Sequence, residues 1–301
     1  CVLLWGFTAI LGKLITMAAL PLVWWRMLLV VGVLAMVPRV WRGMRAMSAR
    51  LVLAYAGIGV IVALHWLTFY GAIKLANASV AATCIALATV FTALVEPWLT
   101  RSPFSRSQLA LGIAVLPGVA LVVGGVPQEM RLGIAVGALS ALLVAFFGSL
   151  NKRLVEHGDA LTVTAIELGA GTLALTALAP IMPWLFPAFA GELFVIPATG
   201  DLFYLLALSL VCTLLPFALS LVALRHMTAF AAQLAVNLEP VYAIMLAILL
   251  LGEQRELTTL FYAGVIVILA AVFVHPLLMP ARRARADETL AIAESKNVGG
   301  L

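Results

Sequence analysis

Between Leu51 and Ile73 the chain carries no formally charged residue, and nine other stretches are almost as apolar. A helix needs about 20 apolar residues to cross the hydrocarbon of a bilayer. Inside lipid, backbone amides must be satisfied within the segment or by closure into a barrel. Barrel strands would read as alternating segments of about 10 residues. These runs are continuous and rich in Leu, Ala and Val, so helix is the consistent assignment. The expected spans are 1–18, 21–38, 51–73, 78–99, 108–125, 132–151, 161–179, 202–224, 228–251 and 257–278. Composition agrees: 64% of the residues are hydrophobic and 10% charged, against about 45–50% and 25% in soluble domains. The expected fold class is therefore an all-α polytopic membrane protein with ten transmembrane helices.

Two stretches 151 positions apart repeat one another. Ala72-Ile73-Lys74, Ala78, Ala81, Leu87, Val90 and Phe91 match Ala223-Leu224-Arg225, Ala229, Ala232, Leu238, Val241 and Tyr242. Cations add a topology. The even-numbered loops and the tail hold 13 Lys and Arg residues, the odd loops and their flanks 5. The even side is therefore expected to be cytoplasmic, with both termini on it. Five helices per half is an odd number, so the second half should enter the membrane inverted. The expected units are a first repeat at 1–127, an inverted second repeat at 128–279 and a disordered cytoplasmic tail at 280–301. The first residue is Cys1 rather than Met and Val2-Leu3-Leu4-Trp5 is already apolar, so the first repeat reads as truncated at its start. Residues 180–201, with four prolines and with Trp184, Phe186 and Phe189, read as an outer loop at the interface. The expected place is the inner (cell) membrane.

The run Ala229-Phe230-Ala231-Ala232 through Asn237-Leu238-Glu239-Pro240-Val241-Tyr242 to Leu251-Gly252-Glu253 resembles the second repeat of EamA-type transporters. Trp5-Gly6, Gly12-Lys13-Leu14, Trp25-Arg26-Met27 and Tyr70-Gly71-Ala72-Ile73-Lys74 resemble the first. The resemblance spans about 1–278 and implies a ten-helix drug/metabolite exporter. It also implies that helices three, four, eight and nine line the central site. The chain departs from the pattern in the fourth helix. Thr89 stands where a mid-helix proline is common, and Arg101-Ser102 where Gly-Glu is common. The Glu-Pro pair of this helix, Glu96-Pro97, lies later than mid-helix, near its cytoplasmic end.

Ionisable groups at mid-membrane cost a few kcal/mol, so each is a functional candidate. Glu239 stands in span nine beside Pro240, which removes a backbone donor and frees a carbonyl near Val236. A bent helix with a carboxylate is a candidate solute or proton site, with a structural carboxylate as the alternative. Pro216 is a second candidate helix break. His65 could carry protons, or bridge helices. Its neighbours Trp66, Phe69 and Tyr70 are candidate cavity walls. Arg26 and Glu167 exchange places under the repeat and could mark two ends of one pathway, with Arg26 binding an anionic group; alternatively Arg26 snorkels to headgroups. Gln233 and Asn237 are four apart and expected on one face. Glu96, Lys13 and Lys152 read as interface anchors, and Asp159 as a helix N-cap.

No spacing of catalytic, nucleotide-binding or metal-binding type is present, so no cofactor, metal or catalytic residue is expected. The net charge of +5 is accounted for by loop cations and does not imply nucleic acid. The expected partners are the bilayer, a small-molecule solute and, as a coupling ion, protons. A monomer suffices because both halves are present; a dimer remains open. The favoured function is a secondary transporter exporting a small metabolite, such as an amino acid or drug-like solute. A membrane-embedded enzyme or a non-transporting structural protein are the rivals.

Overall fold

The computed structural model describes residues 1–278 and is all-helical over them; the expected tail at 280–301 lies outside the described residues. In order, the helices are α1 (Val2–Leu14), α2 (Ala19–Ala35), α3 (Pro38–Ala46), α4 (Ala49–Leu75), α5 (Ala78–Ile85) and α6 (Ala88–Thr100). Then follow α7 (Arg106–Gly124), α8 (Arg131–Leu154), α9 (Ala160–Leu178) and the short α10 (Met182–Leu185). The last are α11 (Thr199–Leu206), α12 (Leu215–Leu224), α13 (Ala229–Val236), α14 (Glu239–Leu246) and α15 (Thr259–Leu278). A π-helical stretch, Ala207–Leu214, joins α11 to α12. By length and apolarity six continuous segments can cross a bilayer: Ala49–Leu75, Ala78–Thr100, Gln128–His157, Ala160–Leu178, Thr199–Leu224 and Ala229–Leu251. A seventh is present if the bent pair Ala19–Ala35 and Pro38–Ala46 counts as one span, so among the described residues length and composition by themselves carry fewer than ten spans.

Three local features depart from the sequence reading. The second span ends at Ala35, and Pro38 opens a separate helix bent by 91° from it. Proline at a first helical position cannot continue the preceding helix and starts a new one. The resulting α3 exposes Arg39, Arg42 and Arg45, and Arg39 lies 3.7 Å from Asp159. Asp159 itself caps α9 by accepting from the Thr162 amide. The connection 180–201 is only partly an exposed loop. Trp184 and Phe194 are exposed, but Phe189 is buried, stacked 4.9 Å from Phe186, and its ring fills the space beside Gly71.

The third departure concerns the broken helices. The sequence places breaks at Glu239-Pro240 and at Pro216, and none in the fourth span. The structure breaks both α5/α6 and α13/α14 at equivalent positions. Leu87 N–H donates to Cys84 O at 3.0 Å, and Leu238 N–H donates to Ala235 O at 3.2 Å. Both are short-turn bonds that tighten a helix end. The first break has no proline. It is held instead from the other half, where Asn237 Nδ2 donates to Thr89 Oγ1 at 2.6 Å.

Close helix contacts demand glycine at two positions. A Cβ on Gly12 would enter the Tyr70 ring, and one on Gly59 would enter the Glu167 backbone. A ring tip can turn aside, whereas helix backbone cannot. Gly59→Leu is accordingly expected to be the more damaging, by more than the about 1–3 kcal/mol typical of overpacking. Thermal unfolding of the purified variant beside Gly12→Leu checks the order.

Candidate functional site

A cavity of about 260 Å³ lies between the two halves of the chain. Arg26, Trp66 and Glu239 are buried members of its lining, and Cys1 and Met227 exposed ones. Trp5, Phe69, Phe147 and Phe217 supply aromatic walls. Its lining comes from α1, α2, α4, α5, α8, α12, α13 and α14. The expected lining by spans three, four, eight and nine is thus present, with spans one, two and six added.

Arg26 is the most constrained side chain in it. The residue is 2% exposed. Its Nε donates to Thr213 Oγ1 at 2.5 Å and its Nη1 to the Tyr70 hydroxyl at 2.8 Å. The guanidinium carbon sits 3.9 Å from the Trp66 ring centroid. That stacking supports the charge where exposure to water is small. Snorkelling to headgroups is therefore excluded in this conformation. Tyr70 is buried behind Arg26 and positions it; it is not a cavity wall. Thr213, which sequence reasoning missed, stands in the π-helical stretch and donates in turn to Leu208 O at 2.6 Å. Pro216 follows that stretch in the first turn of α12, so the distortion lies on the N-terminal side of the proline.

Glu239 opens α14 and lines the same cavity, within electrostatic reach of Arg26. The two make no ion pair: among the described residues the one salt bridge is Arg39–Asp159. A cation and a carboxyl group thus face a common space without closing on each other. Gln233 lines this space too, and its Nε2 has no hydrogen-bond partner among the described residues. His65 lines it while bonded through Nδ1 to Ser140 Oγ at 2.8 Å.

Two expected members lie elsewhere. Asn237 stands one helical turn after Gln233, its amide bonded to Gln233 O at 3.2 Å, but its side chain is committed to Thr89 and does not line the cavity. Glu167 is fully buried against Asn151, and it does not line the cavity. The pairing of Arg26 and Glu167 as ends of one pathway is not reproduced.

The end of the bundle away from Cys1 is closed. Asp201 accepts from Thr16 N at 2.9 Å and from Thr16 Oγ1 at 2.7 Å. Lys74 donates to Ile15 O. Its repeat counterpart, Arg225, donates to Gly158 O at 2.7 Å at the Cys1 end. Two carboxylates then tie the broken helices together end to end. Glu253 accepts from the amides of Ala78 and Ser79, both at 2.9 Å, and from Ser79 Oγ at 2.6 Å. Glu96 accepts from the amides of Ala229 and Phe230, both at 2.8 Å. Each carboxylate leaves the C-terminal part of one broken helix and caps the first turn of the other, where unpaired amides and the helix dipole favour negative charge. Glu96 is thus no interface anchor. It caps α13 as Glu253 caps α5, although the first half lacks the Gly-Glu ending.

Comparison with known proteins agrees with this geometry. The model of the EamA-like transporter family matches residues 1–124 and again 131–275. No curated protein matches the sequence. One crystal structure superposes with a TM-score of 0.64, covering 92% of this chain and 94% of its own, at 16% identity. At that identity the likeness is one of fold alone.

Proposed function

The chain belongs to the EamA-like transporter family, and on that premise we propose that it exports a small amphipathic solute carrying an anionic group. The observation that carries this reading is Arg26, a cation buried with no acidic partner in contact, lining a cavity with aromatic walls. Thr213 and Tyr70 take two of its five N–H groups. A carboxylate is the natural complement for those that remain. Glu239 across the cavity would receive a protonated amine, so an amino acid-like solute fits both poles, and the aromatic walls fit an apolar side chain.

The ten helical segments are taken as two inverted five-helix halves, with the Cys1 end cytoplasmic because the loop cations concentrate there. The cavity then faces the cytoplasm while the Asp201, Lys74 and Glu253 contacts close the outside. The halves would exchange these roles to release solute outward.

Metabolite profiling of cells with and without the gene would nominate solutes, and uptake by everted vesicles would measure their transport. Binding chemistry is tested directly by thermal shift on the purified protein with matched pairs of carboxylic acid and carboxamide. The carboxylates are expected to stabilise, by about 2.7 kcal/mol at a hundredfold excess over Kd, and the amides to lose most of that. Equal stabilisation by both members of every pair would remove Arg26 as the anion receptor.

A further inference from the structure

Away from the cavity, Glu167 lies in one of the closest helix seams of the molecule. α9 meets α4 backbone to backbone, with the Glu167 carbonyl standing where Gly59 would carry a Cβ. One turn on, a Cβ at Gly171 would lie 2.8 Å from the Gly59 carbonyl oxygen. The Glu167 side chain is fully buried. Its Oε2 accepts from Asn151 Nδ2 at 3.3 Å. Its Oε1 and Asn151 Oδ1 have no hydrogen-bond partner among the described residues.

Among the described residues no cation pairs with this carboxyl. On α2, Arg26 is committed to Thr213 and Tyr70. On α3, Arg39 is beside Asp159, and Arg42 and Arg45 are exposed. Lys152 of α8 donates to Leu224 O, and Arg225 beyond α12 donates to Gly158 O. Tyr55 of α4 is the titratable group within electrostatic reach. A buried carboxylate without a partner cation neutralises rather than remain charged. Its short stem also prevents it from reaching water.

We propose that Glu167 is a proton-binding site separate from the solute cavity, occupied by a proton while the α4–α9 seam is closed. A proton on Oε2 turns that oxygen into a donor. Rotating the Asn151 amide then presents Oδ1 as its acceptor at the same distance. Opening the seam admits water to the carboxyl and releases the proton. The movement reaches the solute, because α4 also carries His65 and Trp66 on the cavity wall. As a coupling site this rests on the transport reading, but proton binding can be tested without it.

The test is infrared difference spectroscopy of the full chain in lipid, acid minus alkaline. A protonated-carboxyl band that titrates is expected in the wild type, absent from Glu167→Gln and kept in Glu239→Gln. Glu167→Asp serves if the glutamine variant fails to fold, and it should shift the band. A band unchanged by either substitution at 167, or no such band in the wild type, overturns the site. Loss of solute uptake plays no part in this readout, so failure of the transport reading would leave a distinct signature.

Discussion

Replacing Arg26 with methionine should leave a folded protein that no longer binds carboxylates. The aliphatic chain can still pack on Trp66, and Thr213 keeps its bond to Leu208 O. What disappears is the cation of the cavity, and Glu239 then faces any anionic solute unopposed. Truncating one side of a buried charged contact costs about 2–5 kcal/mol, which is about 30-fold or more in affinity. Arg26→Lys should fail as well. A single ammonium cannot reproduce the fork that spans Thr213 and Tyr70 while stacking on the indole. Thermal shift with the carboxylate and carboxamide pairs measures the effect, and uptake of the nominated solute follows it into transport. Undiminished carboxylate binding in Arg26→Met would mean that the solute's anionic group docks elsewhere.

The sequence showed the helices and hid most of their partners. Apolar run length showed where helices lie, because a helix satisfies the amides of an apolar segment within itself, but among the described residues six continuous segments are long and apolar enough to span. Arg26, His65, Trp66, Gln233 and Glu239 were visible because polar or aromatic groups in apolar runs need a reason to be there. Thr213 was invisible: a threonine in an apolar helix is ordinary, and only the fold brings it to Arg26 from 187 positions away. The first helix break was invisible for a similar reason. It has no proline, and the side chain bonded beside it, Asn237, comes from the opposite half. Glu96 was misjudged because helix position alone suggested a headgroup anchor. The amides it caps belong to a helix that begins 133 residues later.

That crossed capping carries the second large effect. Glu253→Ala would strand three donors, the amides of Ala78 and Ser79 and the Ser79 hydroxyl. Glu253 is 1% exposed, so water cannot easily replace it. Each stranded buried donor costs about 1–3 kcal/mol, which puts the loss at about 3–6 kcal/mol when the site relaxes in part. Glu96→Ala strands two amides and should cost about 2–4 kcal/mol. The glutamine variants keep one acceptor oxygen and should fall between alanine and wild type. The two caps lie at opposite ends of the bundle, so the double alanine variant should add within about 0.5 kcal/mol. Thermal unfolding in lipid nanodiscs would rank wild type above Glu96→Ala and Glu96→Ala above Glu253→Ala. Melting of Glu253→Ala at the wild-type temperature would show that the cap is a contact without a stabilising role. Where the ranking holds, solute uptake should fall in both variants, because each cap joins a broken helix of one half to that of the other.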